Sequence, residues 1–133
     1  MAAISITAAN VSKNTGTTRQ HNTGVAITAG QTLYLTASGV WGLCDADAAG
    51  TADCHGVALH GAASGQPLTA LTAGTLDLGA TLTVGAPYFV HTTAGGIGVL
   101  TELASGDYVT YLGTALAADN FELQIHNTGA VEA

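Results

Sequence analysis

At 133 residues and 13.1 kDa the chain has the size of one domain, long enough to bury roughly two-thirds of its unfolded surface around a single core. Its formal net charge of −7, with two Lys or Arg residues in all, excludes nucleic acid as a partner, because duplex affinity comes largely from cations that neutralise phosphates. Charged residues make up 8% of the chain, where ordinary domains carry about 25%, so the surface is either covered by Thr, Ser, Asn and Gly or buried against partners.

Much of the 47% hydrophobic fraction is Ala, and aromatics are 5%, so each buried side chain removes little apolar area from water. An isolated monomer is expected to be thinly stabilised. In chain order, a short strand is expected at Ile4-Ser5-Ile6. The polar segment Asn10 to Gly24 that follows is read as a disordered tail or an extended arm. Fully extended, residues 1 to 24 would reach roughly 80 Å at ~3.3 Å per residue. Both cations, Lys13 and Arg19, lie in this segment, while every acid from Asp45 to Glu132 comes later. A weakly basic arm on an acidic body makes Lys13 and Arg19 the candidate contact residues; the plainer alternative is that they serve solubility.

No basic stretch followed by an apolar run stands at the start, and apolar stretches elsewhere fall far short of the ~20 residues that span a bilayer. Synthesis in the cytoplasm, no membrane partner and reduced thiols at Cys44 and Cys54 are therefore expected.

From Val25 onward the signals are those of strands, with no window of helical periodicity. Alternation in Gln31 to Ala37 places Leu33 and Leu35 on one face and Tyr34 on the other. Ala86 to His91 and Asp107 to Thr114 are further β-rich runs. In Phe121 to His126, Phe121, Leu123 and Ile125 are expected to face a core, and Glu122, Gln124 and His126 to face water or a partner. A short unit recurs as Ile27-Thr28-Ala29-Gly30, Leu71-Thr72-Ala73-Gly74 and Leu82-Thr83-Val84-Gly85, read each time as a Gly-ended turn that launches a strand. Turn signals about every ten residues predict an all-β fold, a small single-domain barrel or sandwich over 25–133 with an extended N-terminal arm over 1–24.

The densest polar cluster runs from Cys44 to His55, with His60 nearby. Asp45, Asp47 and Gly50 fit a calcium loop, but Ala49 and Gly56 stand where such a loop needs ligands. Cys44, Cys54, His55 and His60 are suitable zinc ligands by type but lack the close cysteine pairing of structural sites. The plainer reading is an exposed loop between two strands with inert thiols, and no metal or cofactor is expected. Catalysis has no better support. The five histidines have no nucleophile elbow beside them, and Ala63-Ser64-Gly65-Gln66 reads as a turn. Nothing pairs Glu102, Asp107, Asp119 or Glu122, and Gly95-Gly96-Ile97-Gly98 precedes no helix that would cradle a phosphate. The chain is expected not to be an enzyme.

A longer pattern lies in the second half, about Gly56 to Gly129. It runs through Gly56-Val57-Ala58-Leu59, Gly61-Ala62-Ala63-Ser64-Gly65-Gln66-Pro67 and Val84-Gly85-Ala86-Pro87-Tyr88-Phe89-Val90, then Thr93-Ala94-Gly95-Gly96-Ile97 and Ser105 to Leu116. In this order of strands and turns the chain resembles the capsid decoration, or cement, proteins of tailed bacteriophages. The resemblance implies a compact β-barrel or β-tulip homotrimer on the outer capsid surface of a virion. It also implies an arm around residues 1 to 24 that binds the major capsid protein. The alternative is a fibre or receptor-binding module of a phage particle, with Tyr34, Trp41, Tyr88, Tyr108 and Tyr111 available to stack on glycans.

Overall fold

A computed structural model of the chain describes every residue except 1–3, 5, 80, 81, 100–102, 104, 132 and 133, so Glu102 and Glu132 lie outside the described residues. Nine strands are described: β1 (Val11–Asn22), β2 (Thr32–Leu35), β3 (Trp41–Leu43), β4 (Gly56–Ala58), β5 (Pro67–Leu78), β6 (Pro87–Val90), β7 (Ile97–Gly98), β8 (Tyr108–Ala115) and β9 (Asn120–Val131). Among the described residues, helix is confined to a three-residue turn at Ala8–Asn10 and a single turn, α1 (Ala49–Ala52). The all-β expectation is met: the strands form one curled antiparallel sheet, a half-barrel, in the order β3-β2-β4-β5-β9-β8-β6-β7, with β1 alongside β5.

Strand β5 organises the sheet. One of its edges is covered along its whole length by β1, from Val11 opposite Leu78 to Asn22 opposite Pro67. The other edge is divided: β4 pairs at Ala70 and Leu71, and β9 pairs from Ala73 to Asp77. An irregularity at Thr72, which the β1 register skips, separates the two halves. Adjacent strand residues point to opposite faces, so Ala70 and Leu71 enter different clusters. Leu71, Leu76 and Leu78 join the larger core with Val57, Leu112, Phe121 and Leu123. Leu68 and Ala70 join a smaller one with Ile27, Leu33, Ala58 and Trp41.

The recurring Gly-ended unit behaves as a turn at Gly30 (φ 89°) and Gly85 (φ 80°) but not at Gly74. There Leu71 to Gly74 lies inside β5. Gly74 (φ 131°) stands directly opposite Gly16 (φ 125°) of β1, and a Cβ on either would come within 2.2 Å of the facing backbone. The glycine signal marks a close crossing of two strands, not a chain reversal. Ile4 and Ile6 are not in a strand: the Ile4 N–H bonds the Ile97 carbonyl at 2.8 Å, and both side chains pack on the larger core.

Candidate interaction surface

Residues 11–22 of the segment read as an arm are strand β1, and their Thr-rich composition suits that role, because β-branched side chains fit a pleated surface. Val11 anchors one end in the core. Beyond it every residue from Ser12 to Gln20 is exposed. The strand is held by its backbone ladder and by small polar contacts: Thr15 and Thr75 share a hydroxyl hydrogen bond at 2.8 Å, and the Thr72 hydroxyl donates to the Thr17 carbonyl at 3.0 Å. Apart from an isolated bridge at Thr23, β1 pairs with β5 alone among the described residues, so its outer edge carries unpaired backbone groups. A bulge at Asn14 interrupts that edge.

Lys13 stands opposite Leu76 and Arg19 opposite Ala70, and both cations are exposed. Opposed residues of an antiparallel pair share a face. Since Leu76 faces the larger core and Ala70 the smaller one, the two cations leave β1 on opposite faces, separated by roughly 20 Å of strand. They flank the edge of β1 and do not form one patch. Because Ile4, Ile6 and Val11 pack on the core, truncating residues 1 to 20 would disturb the fold, and point substitutions are the cleaner probe.

The other candidates are occupied by structural roles. His55 accepts the Leu35 N–H at 3.3 Å through Nδ1, and His60 accepts the Thr69 N–H at 3.0 Å through Nε2. Both thiols are buried and unbridged, and no group of three or more His, Cys, Asp or Glu side chains among the described residues is placed to hold a metal ion. A small open cleft between Ile4, Ile6 and the Gly95–Gly96 turn is lined by backbone and small or amide side chains, with no titratable group among them. Of the aromatics considered for glycan stacking, Trp41 and Tyr88 are buried, whereas Tyr34, Tyr108 and Tyr111 are half-buried. Tyr111 packs edge-on against Phe89, with centroids 5.8 Å apart, and lies in register with exposed His126.

Burial pushes the Asp45 carboxyl above the usual carboxylate range. The charges of Asp47 and Asp107 add to the rise, and the Asp47 N–H, donating to Oδ1 at 3.0 Å, opposes it. With the folded-state value above the unfolded one, Asp45 favours folding fully below its unfolded pKa, and that contribution is lost as pH rises through the folded pKa. Asp45→Asn retains the Oδ1 acceptor and removes the charge. It is expected to raise Tm at neutral pH, with the gain vanishing toward pH ~4; melting curves at the two pH values check this, and a neutral-pH decrease would contradict it.

Two features leave no local signal in the sequence. The Asn127 side chain forms a double hydrogen bond with the Cys54 backbone, receiving the N–H at 2.9 Å and donating to the carbonyl at 3.0 Å. His91, 2% exposed, accepts the Thr93 N–H at Nδ1, which places the ring proton on Nε2, where it has no hydrogen-bond partner among the described residues. No protein-family model matches the chain, and no curated protein matches it.

Proposed function

We propose that this chain is a structural virion protein, a homotrimer that decorates a phage capsid and stabilises it by binding the major capsid protein. The observation that carries the reading is β1: nine consecutive exposed residues with an unpaired outer edge, bearing both cations of an otherwise acidic chain. Edge backbone groups supply contacts independent of side-chain type, which suits a Thr/Asn-rich strand. Lys13 and Arg19 on its two faces supply steering toward an anionic surface. Three such edges on one trimer bind as a linked set, so each needs modest affinity. The resemblance of the second half of the chain to capsid decoration proteins points the same way.

Light scattering is expected to give a trimer, and the trimer is expected to sediment with undecorated capsids; a monomer that stays in the supernatant would end the proposal. The exposed double variant Lys13→Glu/Arg19→Glu is expected to stay folded and to bind capsids about ten-fold more weakly, with the deficit shrinking at high salt. Wild-type binding by that variant would remove the two cations from the interface. The second reading, a fibre or receptor-binding module for glycans, draws on the exposed side of the Tyr111–His126 register. Glycan-array hits together with no capsid binding would favour it.

A further inference from the structure

We infer that Cys44 and Cys54 are a disulfide-forming pair, which closes the 45–53 loop onto the sheet when the chain enters an oxidising medium. The two residues flank that loop, one just after β3 and the other just before β4. Both are free, 0% and 1% exposed, and packed in the same core cluster with their side chains beside each other. The backbone holds each from a different side. The Cys44 N–H bonds the Thr32 carbonyl at 3.0 Å, while Asn127 of β9 grips both polar groups of the Cys54 backbone.

Little polar bonding would be lost by joining the sulfurs. The Cys54 thiol contacts the Gly56 carbonyl weakly, at 3.6 Å, and the Thr32 hydroxyl stands beside the Cys44 thiol. In the closed fold the pair is protected. Burial, and then the neighbouring Cys54, push the Cys44 thiol well above its ordinary value, so it holds its proton and is a poor nucleophile. Exchange therefore requires the loop to open. That opening breaks the Asn127 grip, the Thr110 hydroxyl bond to the Ala52 carbonyl, the backbone bonds of Ala46 with His91 and Tyr108 and the bonds between Asp45 and Thr51, and it exposes the buried Ala46 and Ala52, while the sheet itself stays paired.

The oxidant is a low-molecular-weight disulfide, RSSR. In the opened loop one cysteine thiolate attacks a sulfur of RSSR, its S–S bond breaks, and the first RS⁻ leaves. The second cysteine thiolate attacks the protein sulfur of this mixed disulfide and displaces the second RS⁻. Two thiols become one disulfide, RSSR is reduced to two RSH, and the two cysteine protons end on those thiols. A reducing medium runs the exchange backwards.

The experiment uses the full chain, incubated with glutathione disulfide or with dithiothreitol, then unfolded in guanidinium with an alkylating reagent and weighed by intact-mass spectrometry. The reduced protein is expected to take up two labels. The oxidised protein is expected to take up none, to be lighter by two hydrogen atoms at monomer mass, and to melt about 5–10 °C higher, a gain that dithiothreitol abolishes. Two labels after exhaustive oxidation, stable glutathione adducts or a disulfide-linked dimer would overturn the pairing, and an unchanged or lower Tm would overturn the locking. Asn127→Ala, which releases the Cys54 backbone, is expected to shorten the half-time of cross-linking several-fold; an unaltered rate would overturn the loop-opening route.

Discussion

Trp41→Ala is expected to cost about 3–5 kcal/mol of stability, the range for emptying a buried aromatic site, and so a large share of the ~5–15 kcal/mol that folded domains have. Trp41 is 0% exposed and is the largest side chain of the smaller core, where it meets Ile27, Leu33 and Leu68. Its Nε1–H donates to the Leu68 carbonyl at 3.0 Å, and His21 of β1 stands edge-on to its ring at 5.1 Å. Removing the ring empties a site that has no other large aromatic to collapse into it, and strands a buried carbonyl as well. Trp41→Phe isolates the second effect and is expected to lose about 1–3 kcal/mol. Urea unfolding followed by circular dichroism measures both, and an alanine variant within 1 kcal/mol of wild type would show that the smaller core contributes little.

Gly113→Ala is expected to be nearly as damaging, at about 3 kcal/mol, the upper end for overpacking a core. Gly113 sits in β8 between Tyr88 of β6 and Leu123 of β9, next to a bulge. A Cβ there would stand 1.9 Å from the Glu122 carbonyl oxygen and 3.0 Å from the Phe121 ring. Neither neighbour has room to withdraw, because β8 is bounded on both sides and Phe121 is fully buried. Gly16→Ala meets an equally close backbone, yet among the described residues β1 has no strand outside it and can shift outward. The ordering, with Gly113 the more costly, is what a comparison of urea midpoints tests; the reverse ordering would mean that the edge strand is held more firmly than its pairing implies.

The elements most legible in the sequence are those with one wet face and one dry face. In β9, Phe121 and Leu123 are fully buried and Ile125 packs on the same core, while Gln124 and His126 are exposed, as the alternation predicts. In β2, Leu33 and Leu35 belong to the smaller core and Tyr34 packs on the larger one, again as the period of two predicts. Strand β5 was illegible because it carries apolar residues to both faces, with a bulge at Thr72 that breaks the period, so its central Leu-Thr-Ala-Gly reads like a turn. Strand β1 reads as a polar arm because it buries almost nothing; its order comes from a ladder with β5, which the composition of the segment does not encode. The candidate surface was legible as a charge asymmetry, since Lys13 and Arg19 stand out in any reading. Their divergence to opposite faces follows from register, and the juxtaposition of Cys44 and Cys54 follows from a loop closure; neither leaves a local signature.

The one-sided pairing of β1 has a consequence for exchange with heavy water. In an antiparallel ladder alternate amides point toward the partner strand, and the others point away from it. Those of β1 that point toward β5 are sheltered by hydrogen bonds, whereas those that point away meet solvent directly. Deuterium uptake along residues 12 to 20 should therefore alternate fast and slow from one residue to the next, with the rhythm faltering at the bulge at Asn14. Any molecule that seats itself along this margin would erase the fast set and leave the slow set as it was, a fingerprint that reports the docked edge without a crystal of the complex.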